Sequence, residues 1–516
     1  MNKYKKYLLA LKKEDLPHFL ILIFLFLEGF ALRFAFLFQP MCFDESVTYL
    51  AYALHPLSYG LSCYVYPNNH LFNTFLVHFT TKIFGNSPWV IRLPAFIAGV
   101  LIIPLSYLVV RKLFDKNAAI ITAALIVTCS QLIEYSTNAR GYSIQALIVL
   151  AAIIVSFNLI KKGGLANWVW LTLLFAMGFY AIPTMLYFFL GIILWLVLSL
   201  VKGEIKDSRI VFARRIALMS ISTLILVILL YLPVINNSGI SSLISNRWVK
   251  SLGWSKFAKS LFPGLKEYWS AWAAGIPLPI SILLITCVII SVIFHRRLAK
   301  NTLNLLYTML VASILIVIVQ RRLPPARAWL PLLPLILGFS ADGLSFLWEK
   351  LENYFRKKSS FKFSFNFIPI IALVIAIGLG ISILISQSPY QPPDQSPFRD
   401  AEKIAKFLKP KLKRGDIIYV ESYSHPHLDY YFYVNGLPLS YIWHYEFEKS
   451  MDKEFKKTLK RAFVIDVKEK RPERPIPALT EVMYASELDR SRPYYLKEIK
   501  KFSHSIVYEI ENPVFD

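Results

Sequence analysis

Long apolar runs separated by short polar segments dominate the first 386 residues of the chain. Each run is near the ~20 residues that a helix needs to cross a bilayer, and about eleven of them stand out. The runs lie at residues 17–39, 89–110, 118–135, 142–160, 166–181, 183–201, 212–235, 276–294, 302–319, 328–347 and 367–386. The pattern therefore predicts an all-α polytopic membrane protein.

Between the first two runs, the apolar positions recur at helical spacing but among polar neighbours. The stretches "ESVTYLAYALHP" and "NHLFNTFLVHFTTKIFG" each place apolar side chains on one face of a helix. Such amphipathic helices lie in the plane of the membrane interface rather than across it. We therefore predict interfacial helices here.

After the last run the pattern changes to that of a soluble protein. A linker rich in Pro and Ser at 387–397 separates a membrane domain at 1–386 from residues 398–516. There "FRDAEKIAKFLKPKLKRGDIIYVESY" predicts an amphipathic helix, a turn and a strand, and "RAFVIDV" and "HSIVYEIE" predict further strands. We predict a small soluble α/β domain.

Basic residues set the predicted sidedness. The formal net charge is +24, and mean hydropathy is +0.49. Loops on the predicted cytoplasmic side and the N-terminus hold about 23 Lys and Arg, against about 10 on the other side before residue 387. The pattern predicts a plasma (inner) membrane protein with a cytoplasmic N-terminus and an extracytoplasmic C-terminal domain. Because membrane topology explains the basic residues, nucleic-acid binding is not expected.

Two adjacent acids, Asp44 and Glu45, follow the first run directly. A carboxylate at the boundary of water and lipid is partly desolvated and still reaches a polar substrate, which suits a general base. The alternative is that Asp44 caps a helix beginning at Glu45. In the same segment, Cys42 and Cys63 share a hydrophilic loop where a single disulfide is possible in an oxidising compartment.

Arginines on the predicted external side form a second group of candidates. Arg321, Arg322 and Arg327 occupy the loop "VQRRLPPARAW", where the positive-inside rule predicts few basic residues. Guanidinium groups bind phosphate in a bidentate manner, so a lipid phosphate is a natural ligand. Arg140, in the turn "IEYSTNARGYS", is a candidate too, although a lone arginine there also suits snorkelling. The loop 236–275 carries Arg247, Lys250, Lys256, Lys259 and Lys266 together with Trp248, Trp254 and Trp269, which is typical of a basic amphipathic surface helix.

Metal and nucleotide motifs are weak or missing from the sequence. His70 and His78 lie two helical turns apart without a third ligand, and "HPHLD" at 425–429 is interpreted as protein surface. Glu28 and Arg33 within the first run should face the protein interior because a charge in lipid is costly. The motifs GxxxxGK[ST], GxSxG and HExxH do not occur.

Three blocks together resemble a known family. "LRFAFLFQPMCFDES", "YPNNHLFNTFLVHFTTKIFGNSPWVIRLPAFIAGVLIIPLSYLVVRKLF" and "LIEYSTNARGYSIQALIVL" resemble the N-terminal half of GT-C membrane glycosyltransferases, of the dolichyl-phosphate-mannose protein mannosyltransferase and aminoarabinose transferase type (families 39 and 83). The resemblance covers roughly residues 28–160, and "PPARAWLPLLPLI" resembles the entry to a late span of that family. It implies an inverting transfer of a sugar from a polyprenyl phosphate, undecaprenyl or dolichyl, on the non-cytoplasmic face.

The resemblance also implies roles for individual residues. Asp44 matches the catalytic acid and Glu45 its usual neighbour, while Arg140 and Arg327 match the arginines that meet the donor phosphate, with Arg321 and Arg322 beside them. The same blocks place four substrate-binding candidates: Asn69, His70, Glu134 and Tyr142. Family members often carry an acid two residues before the second-loop arginine. Here that position is Asn138, and Glu134 is the acid one turn earlier.

No cofactor is expected, because the polyprenyl phosphate is itself the leaving group; a divalent metal has no sequence support. The expected partners are the lipid-linked sugar donor, membrane lipids and an acceptor, which is a protein, lipid A, a glycolipid or a cell-wall glycan. A flippase for lipid-linked sugars, or another transporter, would share the spans and the arginines. Transporters place polar residues near the midplane of several spans, whereas here they gather at one face, which favours an enzyme.

Overall fold

The computed structural model describes residues 16–244, 250–294, 302–358, 367–390, 398–420, 424–443, 461–467 and 495–511. Its first half is helical. The helices up to residue 201 are α1 (Leu16–Leu37), α2 (Phe43–Thr48), α3 (Leu57–Gly60), α4 (Leu71–Phe84), α5 (Pro88–Leu113), α6 (Lys116–Val127), α7 (Ser130–Ser136), α8 (Tyr142–Lys162), α9 (Leu165–Ala181) and α10 (Met185–Val201). Helix α2 continues as a π-helical turn, Tyr49–Ala53.

The second half adds further helices and a small sheet. The remaining helices are α11 (Arg209–Ser238), α12 (Ser241–Ile244), α13 (Trp254–Trp272), α14 (Leu278–Phe294), α15 (Thr302–Gln320), α16 (Leu333–Lys358), α17 (Ile368–Ser386), α18 (Ala401–Leu408) and α19 (His425–Val434). Two 3₁₀ turns, Ala326–Leu332 and Ser388–Tyr390, lie between them, and a further one, Leu439–Tyr441, follows α19. The strands are β1 (Asp416–Val420), β2 (Arg461–Val467), β3 (Tyr495–Lys501) and β4 (Ser505–Glu511).

Every predicted span has a helical counterpart, so the polytopic helical fold is confirmed. By length and composition, six helices of the described chain can cross a membrane. The bent pair α6 and α7, which meet at 61°, makes a seventh span if counted as one. Four shorter apolar helices, α9, α10, α14 and α15, account for the other predicted runs. The sequence did not predict the bend at 128–129, which turns α7 away from the axis of α6.

The membrane core forms where α1, α5, α6 and α8 pack together. Small residues allow close approach: a Cβ on Gly99 would collide with the side chain of Ser136, so α5 and α7 touch. Arg33, predicted to face inward, is fully buried and donates hydrogen bonds to Ser136 Oγ and to the carbonyls of Gly29, Val127 and Ile126. Its charge is therefore satisfied by the carbonyls that the bend in α6 and α7 leaves open.

The C-terminal sheet has the strand order β1-β2-β4-β3, with β1 and β2 parallel and the other pairs antiparallel. The predicted helix α18 and strands β1, β2 and β4 are present, whereas β3 and α19 were not predicted. Residues 391–397 of the predicted linker lie outside the described residues. The division into domains at 386 and 398 stays a prediction.

The stretch "HPHLD" is not surface, as the sequence suggested, but the first turns of α19. His427, Leu428 and Tyr430 are fully buried. The ring of Phe43 in α2 packs edge-on against His427, and Tyr49 packs against Tyr430. The prediction failed because the burial comes from α2, which lies almost four hundred residues earlier in the chain.

Candidate functional site

Two acids of α2 point in different directions. Helix α2 begins after Cys42, whose backbone N–H donates to Glu45 Oε2 at 2.9 Å. Asp44 is the second residue of the helix, so it does not occupy the cap position that the alternative interpretation assigned to it. Successive helical residues project about 100° apart, which sends the two carboxylates to different surroundings.

Glu45 is fully buried in an ion pair with Arg92 of α5. Arg92 Nε and Nη2 each donate to one carboxylate oxygen at 2.7 Å, and the exposed fraction of both side chains is 0%. The backbone N–H of Ala139 also donates to Oε1, at 2.8 Å. Arg92 in turn donates to the carbonyls of Leu37, Gln39 and Pro40. Glu45 therefore joins α2, α5 and the 137–141 turn and does not face a substrate, contrary to its assignment as a catalytic residue.

Asp44 faces another side of α2, where its carboxylate stays partly exposed. Its carboxylate lies 3.5 Å from Arg140 Nη2, and 27% of the Asp44 side chain is exposed against 4% for Arg140. Arg140 is anchored by donating to the carbonyl of Asn68 at 2.7 Å and to Thr48 Oγ1 at 3.4 Å. An exposed acid beside a fixed guanidinium is an arrangement that can accept a proton while a positive charge stays in place.

The turn that carries Arg140 connects α7 to α8 and is held by residues at the start of α4. Asn73 of α4 donates to the carbonyl of Ala139 at 2.9 Å, and the backbone N–H of Gly141 donates to His70 Nδ1 at 2.9 Å. A Cβ at Gly141 would lie 3.2 Å from that same His70 nitrogen. A glycine at this position allows the close approach that the hydrogen bond needs.

His70, Tyr142 and Arg327 complete the site. The rings of His70 and Tyr142 meet edge-on with centroids 5.1 Å apart. Arg140 approaches the Tyr142 ring at 5.9 Å, and Arg327 Nε donates to the Tyr142 hydroxyl at 3.0 Å. The 3₁₀ turn Ala326–Leu332 thus brings Arg327 to a site whose other residues come from the first 142 positions.

Burial holds the pKa of His70 well below its usual range, and the positive charges of Arg140 and Arg327 lower it further. The ring is therefore neutral near pH 7. Because Nδ1 accepts a hydrogen bond from Gly141, the ring proton lies on Nε2. His70 can thus act as a hydrogen-bond donor beside the two guanidinium groups.

The remaining predicted residues lie around this group in other roles. The Asn69 amide donates to the carbonyls of Gly60 and Cys63 and accepts from the Thr74 hydroxyl, so it holds the loop that precedes α4. Glu134 is buried in α7. Arg321 stacks on Trp254 at 5.6 Å, and Arg322 donates to the carbonyl of Lys250.

Two residues that the sequence analysis missed support α2 from outside. The sequence places Arg92 within a predicted membrane span, and a charge this close to the start of the span is the available signal. The backbone N–H of Met41 donates to the hydroxyl oxygen of Tyr431 in α19 at 3.1 Å. Burial raises the pKa of Tyr431 to about 12, so the hydroxyl stays neutral. No local sequence signal links residues this far apart.

The sequence allowed one disulfide and gave no support for a metal site. All four cysteines are free and buried, so the disulfide that the sequence allowed between Cys42 and Cys63 is not formed. Burial, with the nearby charge of Glu45, raises the pKa of the Cys42 thiol well above its usual range. Within the described ranges, no group of three or more His, Cys, Asp or Glu side chains is placed to hold a metal ion.

Comparisons with known proteins agree with this architecture. Residues 70–232 match the model of the family described as dolichyl-phosphate-mannose-protein mannosyltransferase. No curated protein matches the sequence. Among solved structures, ArnT from Cupriavidus metallidurans in the apo state has a TM-score of 0.56 at 13% identity, covering 94% of this chain and 97% of that chain.

Two structures with bound lipid phosphates are also similar. ArnT from Cupriavidus metallidurans bound to undecaprenyl phosphate has a TM-score of 0.54 at 12% identity, covering 94% of this chain and 97% of that chain. The archaeal oligosaccharyltransferase AglB from Archaeoglobus fulgidus, in complex with an inhibitory peptide and a dolichol-phosphate, has a TM-score of 0.51 at 14% identity, covering 88% of this chain and 70% of that chain. The predicted resemblance is confirmed: residues 70–232 match the mannosyltransferase family, and the chain is a multi-pass membrane protein with the GT-C fold of ArnT and AglB.

Proposed function

We propose that this GT-C protein is an inverting glycosyltransferase that moves a sugar from a polyprenyl phosphate to an acceptor hydroxyl. One observation carries the proposal: Asp44, Arg140, His70, Tyr142 and Arg327, from distant parts of the chain, meet in one half-open site. ArnT and AglB, whose folds are similar, bind undecaprenyl phosphate and dolichol-phosphate respectively. A lipid phosphate suits this site because two guanidinium groups, which bind phosphate through charge-assisted hydrogen bonds, lie beside one aromatic ring.

Asp44 is the proposed general base. Its carboxylate accepts the proton of the acceptor hydroxyl as the oxygen attacks the anomeric carbon from the face opposite the phosphate. The bond between that carbon and the phosphate oxygen breaks, and the electron pair leaves with the polyprenyl phosphate. Asp44 is suited to the step because it is the exposed acid of the pair, whereas Glu45 has both oxygens occupied by Arg92 and backbone donors.

Arg327 and Arg140 are the proposed phosphate ligands. As the bond breaks, negative charge grows on the phosphate, and fixed cations stabilise it without reorganisation. Tyr142 holds Arg327 from one side and faces Arg140 on the other, so the two guanidinium groups converge. His70, neutral and protonated on Nε2, supplies a further donor toward the phosphate or the sugar. No cofactor enters this scheme because the polyprenyl phosphate, as the leaving group, already activates the sugar for transfer.

The proposed orientation follows the basic loops: the site and the C-terminal domain lie on the extracytoplasmic face of the plasma membrane. Cysteine-accessibility labelling along the chain tests it. If a cysteine at residue 400 is labelled only from the cytoplasmic side, the proposed orientation and the proposed extracytoplasmic reaction are both wrong.

A turnover assay separates the enzyme from its rival, a transporter of lipid-linked sugars. The full-length protein, purified into nanodiscs, receives a polyprenyl-phosphate sugar and a membrane acceptor extract, and free polyprenyl phosphate is measured. An enzyme releases it only when the acceptor is present, because the sugar has to move to a hydroxyl. A transporter leaves the bond between sugar and phosphate intact. Mass spectrometry of lipids from a deletion strain then identifies the donor that accumulates and the acceptor that lacks the sugar.

A further inference from the structure

Helix α13 has a large apolar surface, and the rest of the protein covers one part of it and leaves another part exposed. Phe257 and Tyr268 are buried against the protein. A second row of large apolar side chains is exposed to a degree unusual for a soluble surface: Trp254 61%, Leu261 39%, Phe262 79%, Leu265 60% and Trp269 37%. With about 100° of rotation per residue, this exposed row adjoins the buried row and forms one continuous apolar arc.

The opposite arc of α13 is basic. Lys256, Lys259 and Lys266 are all exposed, and the one acid in the helix is Glu267. Glu267 Oε1 accepts from the backbone N–H of Ala326 at 3.4 Å, so this acid is directed at the protein. An apolar arc beside an arc of lysines is the pattern of a helix that lies in a lipid interface of negative charge.

Helix α13 lies at the side of the bundle that holds Arg327 and the Asp44 site, because it is hydrogen-bonded to the 321–326 segment. It follows α11 and precedes α14, and it is joined to the 321–326 segment that leads to Arg327. The Tyr268 hydroxyl donates to the carbonyl of Pro324 at 2.5 Å. The backbone N–H of Leu252, just before the helix, donates to the carbonyl of Arg321 at 3.3 Å. Arg321 itself has a φ of 49°, a left-handed conformation that a non-glycine residue keeps only when its surroundings fix it.

We propose that α13 is an in-plane helix that binds anionic phospholipid on the Asp44 face of the membrane and thereby fixes the 321–326 segment and the position of Arg327. The lysines supply the charge complementarity to the headgroups, and the exposed aromatic and leucine side chains enter the acyl boundary. The link to donor binding rests on the proposed function of Arg327. The binding of lipid by α13 does not.

The depth of α13 is tested with spin labels on the full-length protein in nanodiscs that contain phosphatidylglycerol. Labels are placed through Phe262→Cys and Lys259→Cys; the four native cysteines are buried. The label at 262 should be reached severalfold better by oxygen than by a water-soluble nickel chelate, and the label at 259 should show the reverse. Equal access of the chelate to both labels would overturn the in-plane placement.

The charge selectivity is tested with a triple variant, Lys256→Gln, Lys259→Gln and Lys266→Gln. Its matched control is Lys497→Gln, Lys500→Gln and Lys501→Gln, which removes the same charge from β3 in the C-terminal domain. The α13 variant should lose several-fold preference for spin-labelled phosphatidylglycerol over phosphatidylcholine, and the control should keep it. Equal preference in both variants would exclude α13 as the anionic lipid site.

The connection to Arg327 is tested by hydrogen exchange, which needs no substrate. Backbone amides of residues 321–327 should exchange about tenfold more slowly with phosphatidylglycerol than with phosphatidylcholine alone, because lipid binding suppresses local opening. The α13 triple variant should abolish that difference. Identical exchange in both lipids would disprove the connection. Because this readout is independent of turnover, a failure of the proposed glycosyl transfer would appear in the release assay and not here.

Discussion

Asp44 and Glu45 are neighbours in sequence, and each faces an arginine, but the two ion pairs differ in every physical respect. The Glu45 pair is bidentate at 2.7 Å with both side chains 0% exposed. The Asp44 pair is a single contact at 3.5 Å, with the carboxylate 27% exposed. The first pair is closed to any ligand, and the second leaves its carboxylate accessible. The comparison shows how one turn of helix supplies a structural acid and a chemically available acid side by side.

The difference originates in what surrounds each arginine. Carbonyls of the 37–40 segment surround Arg92 and fix its position, and the Glu45 carboxylate balances its charge. Arg140 is fixed by one carbonyl and one hydroxyl and has Asp44 at longer range. A fully buried ion pair needs both partners, whereas a longer contact to a partly exposed carboxylate contributes less to stability. Stability is therefore expected to depend on Glu45, and chemistry on Asp44.

The largest effect is expected from opening the buried pair. Glu45→Gln leaves the Arg92 guanidinium buried without a counter-charge, which costs on the order of 3–5 kcal/mol. We expect a sharp loss of folded protein and a lower apparent melting temperature in detergent. Asp207→Asn, which breaks the half-exposed pair with Arg215, is the control and should melt like the wild type. A Glu45→Gln protein as stable as that control would contradict the structural role of Glu45.

The sequence predicts one side of this comparison better than the other. Hydropathy located the predicted helical runs, and local motifs singled out Asp44, Arg140 and Arg327 as candidates for the site. The partner of Glu45 was not predictable: Arg92 lies in an apolar span, and only the fold brings it to α2. The same holds for α19, whose burial against Phe43 and Tyr49 is a contact between the ends of the chain. Local pattern specifies elements, and long-range packing decides which side chains remain accessible.

The second largest effect is expected at Arg327. Arg327→Ala removes a guanidinium from the developing charge on the phosphate, which should lower turnover about 100-fold with folding intact. Arg327→Lys should recover only part of it, because an ammonium group lacks the planar fork. Arg322→Ala, whose side chain bonds to the carbonyl of Lys250, should stay within a few-fold of the wild type. Similar losses of turnover in the Arg322→Ala and Arg327→Ala variants would show that the two arginines act together as one diffuse basic patch.

A smaller effect is expected where the C-terminal domain supports the site. Tyr431→Phe leaves the Met41 amide without its buried hydroxyl partner, which costs about 1–3 kcal/mol. Because Met41 lies just before α2, we expect kcat to fall severalfold while KM for the donor stays nearly constant. Tyr441→Phe, in the same domain, is the matched control. A change confined to KM would show that Tyr431 acts on binding rather than on the position of Asp44.

The smallest effect concerns His70 and pH. Its pKa is lower in the folded protein than the value of about 6.5 in an unfolded chain, so the unfolded state binds more protons as the pH falls. Stability from His70 is complete above that value and declines below it. His70→Asn should therefore flatten the drop in apparent melting temperature between about pH 7.5 and pH 5.5. His55→Asn, at an exposed position, is the control and should keep the wild-type drop in melting temperature. If the His70 ring were charged in the folded state, His70→Asn would keep that drop as well.

The central claim is that Asp44 provides the base while Glu45 provides the support, and Asp44→Asn tests it most directly. The variant keeps the size of the side chain, removes its ability to take the acceptor proton and does not touch the Glu45 and Arg92 pair. Release of polyprenyl phosphate by the purified protein in nanodiscs should fall by about 100-fold or more, with the melting temperature unchanged. Asp207→Asn, an equally accessible acid paired with an arginine, should retain full turnover. Full turnover by a well-folded Asp44→Asn protein would contradict the account.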